Sequence, residues 1–545
     1  MTNVRFSRKE FEKEIKITKE IEEKISLFGT PLESLSEQEI EIEIFPNRPD
    51  LISLQGYLRG FKNFLGKEKP RKYKINKPEK DYKVIISPSV KEIRPFTACA
   101  IIKNLSFSDE KIKEIIDLQE KLHNTIGRNR KKVAIGIYPL EKIKLPIKYE
   151  ALPPEKIKFM PLEFDKELTG LQILQKHPAG KEYAHLLQDY KEFPVFMDAD
   201  SKILSMPPII NSHETGKVSL ETKEVFVECS GSDFGILKKT LNIIVTTLSD
   251  LGGKVYQMEL NYGKNKEITP DLSYEKIKLS LENVNSLLGL KLKESEIEKL
   301  LAKMGHEYKN KSVSVPPWRT DILHEVDIIE DIAIAYGYNN FIPEIPNISS
   351  TAEESFESKI KNKISDILTG LGLIETSSYH LIKLEEAKLL GLQNTIELEN
   401  SKTDYKLLRQ NLLIPSLRIL DENKDNEYPQ KFFEIGTVFS KDSNMETGIK
   451  ESENLIIASS PGNFTEMKQI LDYLAKMLSI KYEIKESSKK EFIEGRTGEI
   501  KINNKSCGFI GEIHPEILRA WSIKMPLSVL EISLDEIFKK LNLAA

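Results

Sequence analysis

The sequence predicts a multidomain α+β protein. Three observations carry that expectation. The chain has 545 residues, which at about 100 to 200 residues per domain gives roughly three to five cores. Segments with apolar residues at i, i+3 and i+4 are interspersed with segments of strict two-residue alternation, so helices and strands both occur. No stretch approaches 18 uninterrupted apolar residues, which sets a membrane span aside.

Composition narrows the class further. With 30% charged and 39% hydrophobic residues the chain is globular. The 80 Lys and Arg against 84 Asp and Glu leave a net charge of −4, which argues against a global pull toward nucleic acid and leaves only local basic patches to grip phosphates. Cys99, Cys229 and Cys507 lie too far apart for zinc spacing or a disulfide framework. The charged opening residues lack the apolar run of a secretion signal, so a cytoplasmic protein is expected. Walker A, GxGxxG, HExxH, GxSxG and EF-hand patterns are absent.

In chain order, Ser7-Arg8-Lys9-Glu10 fits a capping box, and Phe11, Ile15, Ile21, Ile25 and Phe28 supply the apolar stripe of a helix that Gly29-Thr30-Pro31 ends. Residues 39–45 alternate through Ile40, Ile42 and Ile44 as a half-buried strand. Asn47-Arg48-Pro49-Asp50-Leu51 reads as a turn into a helix capped by Asp50, with Gly56, Arg59 and Gly60 on a closely packed face. Arg48 is open to two readings, an RNA or partner contact and a loop fastener with Asp50. The Lys- and Pro-rich run 67–80 resembles a linker, and a second unit begins near Tyr82.

In that unit, residues 127–132 gather four cations, Arg128, Arg130, Lys131 and Lys132, ahead of an apolar strand at 133–138. Phosphate contact and a solvated loop both fit them. Ser205-Met206-Pro207-Pro208-Ile209-Ile210 forms a rigid loop presenting Asn211 and Ser212. The strand at 225–231 carries Glu228 and Ser230 and breaks at Gly231 into a helix capped by Ser232 or Asp233. Asn211, Ser212, Glu228 and Ser230 could line a pocket that positions water on an ester, or serve as ordinary turn chemistry.

From Thr269-Pro270 onward a smaller unit is expected. Two helices end at Gly289 and Gly305, a strand follows at 312–315, and Pro316-Pro317-Trp318-Arg319 leads into a helix burying Ile322, Val326, Ile329, Ala333 and Tyr336. Asp321 at its start and Asp327, Glu330 and Asp331 along it bring together four carboxylates, suited to a hard cation such as Mg²⁺ or to a solvated acidic face. Beyond residue 350, helices at 360–371 and 466–479 alternate with strands at 375–381, 431–436, 508–513 and 527–534, an α+β domain in which no cluster suited to ATP is evident.

Asn47-Arg48-Pro49-Asp50-Leu51, the loop 122–136, Pro207-Pro208-Ile209-Ile210-Asn211-Ser212, Arg319-Thr320-Asp321-Ile322-Leu323-His324 with Ile329-Glu330-Asp331, and Phe433-Glu434-Ile435-Gly436 occur in order. Together they resemble the phenylalanyl-tRNA synthetase beta-subunit family in its archaeal and eukaryotic form, over nearly the whole chain. The resemblance implies an N-terminal core domain at 1–80, interrupted by a tRNA-editing domain at 81–260. It further implies a small metal-binding domain at 265–345 and a class II synthetase-like antiparallel sheet domain without an active site at 350–545. It implies an alpha2 beta2 tetramer with an alpha subunit that binds ATP and joins phenylalanine to tRNA(Phe), and a Mg²⁺ shared with that subunit at Asp321, Asp327, Glu330 and Asp331. It assigns Asn211, Ser212, Glu228 and Ser230 to hydrolysis of tyrosine misattached to tRNA, with Glu228 and Ser230 standing where the family pattern has Asp and Thr. The competing expectations are a stand-alone deacylase of mischarged tRNA and a purely structural RNA-binding scaffold.

Overall fold

The structure, a computed structural model, describes residues 2–542. It is mixed α/β with several sheets and falls into two compact units, Met1–Ile345 and Pro346–Ala545. No described helix is long and apolar enough to cross a membrane.

The first unit opens with a three-stranded antiparallel sheet in the order Thr2–Ser7, Glu39–Ile44, Leu32–Leu35. The alternation expected at 39–45 is there, with Ile40, Ile42 and Ile44 buried. The expected single helix from Ser7 is two, Arg8–Glu12 and Lys19–Leu27. Thr18 explains the break: its hydroxyl accepts from the Ile21 N–H and starts a new helix. Asp50 does not cap the next helix. Ser53 caps Leu54–Phe64 through the Gly56 N–H, while Asp50 is buried in a two-bond ion pair with Arg48, both bonds at 2.9 Å. That pair realises the loop-fastener reading of Arg48. Gly56 has no alternative, because a Cβ there would overlap the Asp50 carbonyl.

The run 67–80 is fastened rather than free. Tyr73 Oη donates to Asp250, Arg71 and Arg59 pair with the same carboxylate, and Ile75–Asn76 lies parallel to Lys254–Tyr262. An eleven-stranded sheet follows, with Val225–Gly231 set between Phe96–Lys103 and Val133–Pro139 and helix Phe234–Asp250 packed against it. Asp233 caps that helix, one of the two expected caps. One core runs from Val4 and Phe6 through Leu241 and Val255 to Ala335.

Residues 275–336 form a small sheet, Glu275–Lys278, Ser312–Val315 and Glu307–Lys309, with three helices. Gly289 and Gly305 take left-handed φ of 64° and 82°, as helix-terminating glycines do. The third helix, Glu325–Tyr336, starts later than expected but keeps most of the expected buried face. Ile322, just ahead of it, and Ile329 and Ala333 on it are buried, Tyr336 is half-buried and Val326 is half exposed, while Ile328, Ile332 and Ala335 join the buried side together with Asp331. The later start follows from His324 and Asp327, which form its capping box.

The second unit is built on a seven-stranded sheet. Its long members are Gln430–Lys441, Ile449–Ser460, Ser528–Ser533, Lys505–Ile513 and Phe492–Ile502 in that order, each antiparallel to the next, while the edge strand Ile374–Glu375 runs parallel to Gln430–Lys441. Helices Phe356–Gly370 and Phe464–Met477 contribute Ile364, Leu368, Leu471 and Leu474 to one of its cores. The strand expected at 375–381 is only Ile374–Glu375, with Leu381–Lys383 in another sheet. The Ser378 carbonyl and hydroxyl are taken by Arg409, and this removes the chain from the ladder.

Candidate functional site

Glu228 lies on the central strand of three, opposite Cys99 on one side and Gly136 on the other. Its side chain is buried, and burial pushes the carboxyl up to about 8 against the pull of the Arg94 charge and the Tyr138 hydrogen bond. Tyr138 Oη lies 3.2 Å from Glu228 Oε1 and 3.3 Å from Asn211 Oδ1, so its single proton serves two acceptors. Glu228 Oε2 is buried without a partner. Gly136 makes the space: a Cβ would overlap both Tyr138 Oη and Glu228 Oε1.

A cavity of about 90 Å³ opens against Glu228 and Asn211, with Gln119, His123, Arg130 and the Pro207-Pro208 turn as its other walls. His123 Nε2 accepts the Ile135 N–H at 2.8 Å, which leaves Nδ1 to carry the proton toward Glu120 at 3.4 Å. Burial holds the His123 pKa down. The His123 hydrogen bond, helped by Arg130, draws Glu120 to about 2. A larger cleft of about 710 Å³ lies beside the N-terminal sheet and helix Asp109–Asn124, but none of its lining side chains carries a buried atom without a partner.

Of the four residues expected here, Asn211 and Glu228 line the cavity. Ser212 is buried one residue further on, its backbone N–H bonded to Leu204 and its carbonyl to the Gly216 N–H. Ser230 Oγ accepts from Arg94 Nε at 3.2 Å, and the Ser230 carbonyl accepts from Nη2. Tyr138, Gly136 and Arg94 were not anticipated. Gly136 and Tyr138 act across a strand register whose partners lie about ninety residues apart, and Arg94, ahead of Phe96–Lys103, reaches Ser230 across 136 residues.

The four carboxylates of the smaller sheet-and-helix region are disposed differently from one another. Arg319 is buried and grips Asp321 at 2.9 and 2.7 Å and Asp331 at 2.8 and 3.1 Å. His306 Nε2 adds a 2.6 Å contact to Asp331. Burial alone would raise the Asp331 carboxyl; Arg319 and His306 outweigh it and hold the group far below the usual range. Asp327 accepts from the Leu323 and His324 N–H groups. Glu330 is exposed, and partial desolvation with the Asp331, Asp321 and Asp327 charges raises its pKa. Among the described residues no group of three or more His, Cys, Asp or Glu side chains is arranged as a ligand set. The donor chemistry at Glu330 and Asp327 fits a hard cation, whereas Asp321 and Asp331 already have a counter-ion in Arg319.

In the second unit the Phe433-Glu434-Ile435-Gly436 motif has a mechanical reading. Glu434 pairs with the buried Arg409 at 2.7 Å, and a Cβ on Gly436 would overlap the guanidinium.

Comparison with known proteins gives the following likenesses. Residues 342–534 match the family model described as the phenylalanyl tRNA synthetase beta chain CLM domain, and residues 277–338 match the tRNA synthetase B5 domain. The phenylalanine–tRNA ligase beta subunit of Archaeoglobus fulgidus is 35% identical over 527 residues, 94% of each chain. That of Pyrococcus abyssi is 37% identical over 504 residues, 90% of each. A crystal structure of an N-terminal fragment of the phenylalanyl-tRNA synthetase beta subunit from Pyrococcus horikoshii is 36% identical, with a TM-score of 0.59, and covers 62% of this chain and 99% of the fragment.

Proposed function

The chain belongs to the family of phenylalanine–tRNA ligase beta subunits, and from that premise we propose that it removes tyrosine misattached to tRNA(Phe) by hydrolysis at the Glu228 cavity, within an alpha2 beta2 enzyme. The alpha subunit in this reading binds ATP and performs synthesis. The carrying observation is the buried, unpartnered Oε2 of Glu228 at the wall of a small cavity.

The chemistry favours tyrosine over phenylalanine. A phenol hydroxyl gives Glu228 Oε2 the partner it lacks, whereas a phenyl ring leaves it unpaired, a difference of about 1–3 kcal/mol. A carboxyl with a pKa of about 8 keeps its proton at neutral pH, so it can both donate to the phenol oxygen and accept from it. Asn211, at the other end of the Tyr138 hydrogen bond, is placed to hold the ester or the attacking water. Ser230 acts as a positioning residue through Arg94, and Ser212 through the backbone that carries Asn211. The test is hydrolysis of Tyr-tRNA(Phe) by the assembled enzyme. Glu228→Ala and Asn211→Ala should each slow it at least tenfold while phenylalanine charging is retained; rates equal to wild type would leave the cavity without this role.

The same reading places a Mg²⁺ at Asp321, Asp327, Glu330 and Asp331, shared with the alpha subunit. Glu330 and Asp327 would hold it from this chain, and its charge would relieve the like-charge crowding that raises Glu330. Glu330→Ala should then remove the Mg²⁺ dependence of subunit association, measured by sedimentation across a magnesium titration. Association indifferent to magnesium in the wild type would retire the metal.

A further inference from the structure

We propose that the rim loop 127–132 grips the backbone phosphates of the single-stranded 3′ end of a tRNA as that end enters the Glu228 cavity; the proposal rests on the hydrolytic reading above. Arg128, Asn129 and Arg130 have φ of 46°, 53° and 63°, three successive non-glycine residues in the left-handed region. Each such residue costs about 1–2 kcal/mol. A conformation of that cost persists only where its surroundings over-determine it.

The surroundings do so here from the inner side. Arg94 donates to the carbonyls of Arg130 and Lys131 at 3.3 and 3.4 Å. The Arg130 N–H is held by the His123 carbonyl at 3.1 Å, and the Lys132 N–H by Gly127 at 2.7 Å. Gly127 is needed because a Cβ would collide with the His123 and Val133 carbonyls. The Arg130 side chain turns inward: Nη1 donates to the Ile209 carbonyl at 2.8 Å, Nη2 to Glu120 at 3.0 Å, and the guanidinium lies over Tyr183 at 4.5 Å. It thereby forms part of the cavity wall.

The outcome is a division of labour among the cations. Arg130 is spent on the cavity. Arg128 and Lys131 are exposed, and among the described residues neither has a carboxylate within ion-pair distance. Two unpaired cations are thus held at fixed positions on the loop that walls the cavity. An amino acid brought there as a tRNA ester arrives on a polyanionic single strand, and cations at the entrance meet its phosphates without reading its bases. A chain with net charge −4 offers no global attraction to RNA, so local cations such as these have to supply it.

The test uses the full chain and a hairpin RNA with a short single-stranded 3′ tail ending in amide-linked tyrosine, beside the same hairpin without the tail. Losing two phosphate contacts on a single strand should lower the salt dependence of log K by about 1.4 and weaken binding roughly 25-fold at 0.1 M salt. Arg128→Gln combined with Lys131→Gln should show that loss for the tailed hairpin only. The charge-preserving Arg128→Lys with Lys131→Arg should bind as wild type, which separates lost charge from a misfolded loop. Wild-type affinity in the Gln pair, equal loss for both hairpins, failure of the charge-preserving pair, or no binding of the tailed hairpin by the wild type would each overturn the proposal. Hydrolysis sensitive to Glu228→Ala with binding insensitive to the Gln pair would keep the hydrolytic reading and remove the grip; the converse would keep the grip and remove hydrolysis there.

Discussion

At the scale of single residues, Glu228 carries the most consequence. Its folded pKa of about 8 lies above the unfolded 4.5, so its contribution to stability is complete below pH 4.5 and is lost as pH rises through 8. The gap corresponds to roughly 5 kcal/mol. Glu228→Gln does not titrate, so its melting temperature should rise relative to wild type between pH 5 and pH 8.5. A constant difference across that range would mean that Glu228 is already ionised at neutral pH. Gly136→Ala should damage the same site by sterics alone, since the new methyl meets Tyr138 Oη and Glu228 Oε1; hydrolysis lost with the melting temperature lowered by a few degrees is the expected signature. Asn211 and Glu228 were legible in the sequence because polar groups at a proline turn and in an apolar strand stand out. Tyr138 and Gly136 were not, because an apolar strand does not announce which residue of a distant strand it faces, and Arg94 was not, because it reaches Ser230 from a loop 136 residues away.

At the scale of elements, the helix Glu325–Tyr336 is held by charge as much as by its isoleucines. Asp331 is buried between Arg319 and His306. Its folded pKa is depressed, so the stability it contributes is present above the unfolded 3.8 and is lost as pH falls toward the folded value. Asp331→Ala leaves the buried Arg319 with Asp321 alone and should cost about 3–5 kcal/mol. Denaturant unfolding followed by the fluorescence of Trp318, which lies beneath Arg59 at 4.5 Å, would register it; a loss below 1 kcal/mol would show the network to be dispensable. The strand Glu39–Ile44 and the helices ending at Gly289 and Gly305 could be read directly, because their periodicity and terminating glycines are local signals. The helix start at His324 could not, because its capping box competes with an equally plausible Asp321, and the short strand Ile374–Glu375 is cut off by Arg409 from thirty-odd residues away.

At the scale of the whole molecule, the two compact units have separate cores, and residues 342–355 between them are almost wholly exposed, with Ile342, Ile345 and Ile348 each at least 80% accessible. Brief proteolysis of the isolated chain should therefore cut first in that stretch and release two fragments that each unfold cooperatively; scattered early cleavage elsewhere would contradict it. The sharing of one core by the N-terminal sheet and the large sheet was not legible in the sequence, since it joins residues as far apart in the chain as Val4 and Leu241 in one cluster. That shared core also bears on synthesis at the ribosome. It draws on residues from Val4 to Ala335, and at about 5–20 residues per second the last of these emerges roughly 15–70 s after the first. The N-terminal strand meets Glu39–Ile44 and Tyr57 early, but throughout that interval the shared core lacks its last members, so the first unit is the part of this protein most dependent on protection during translation.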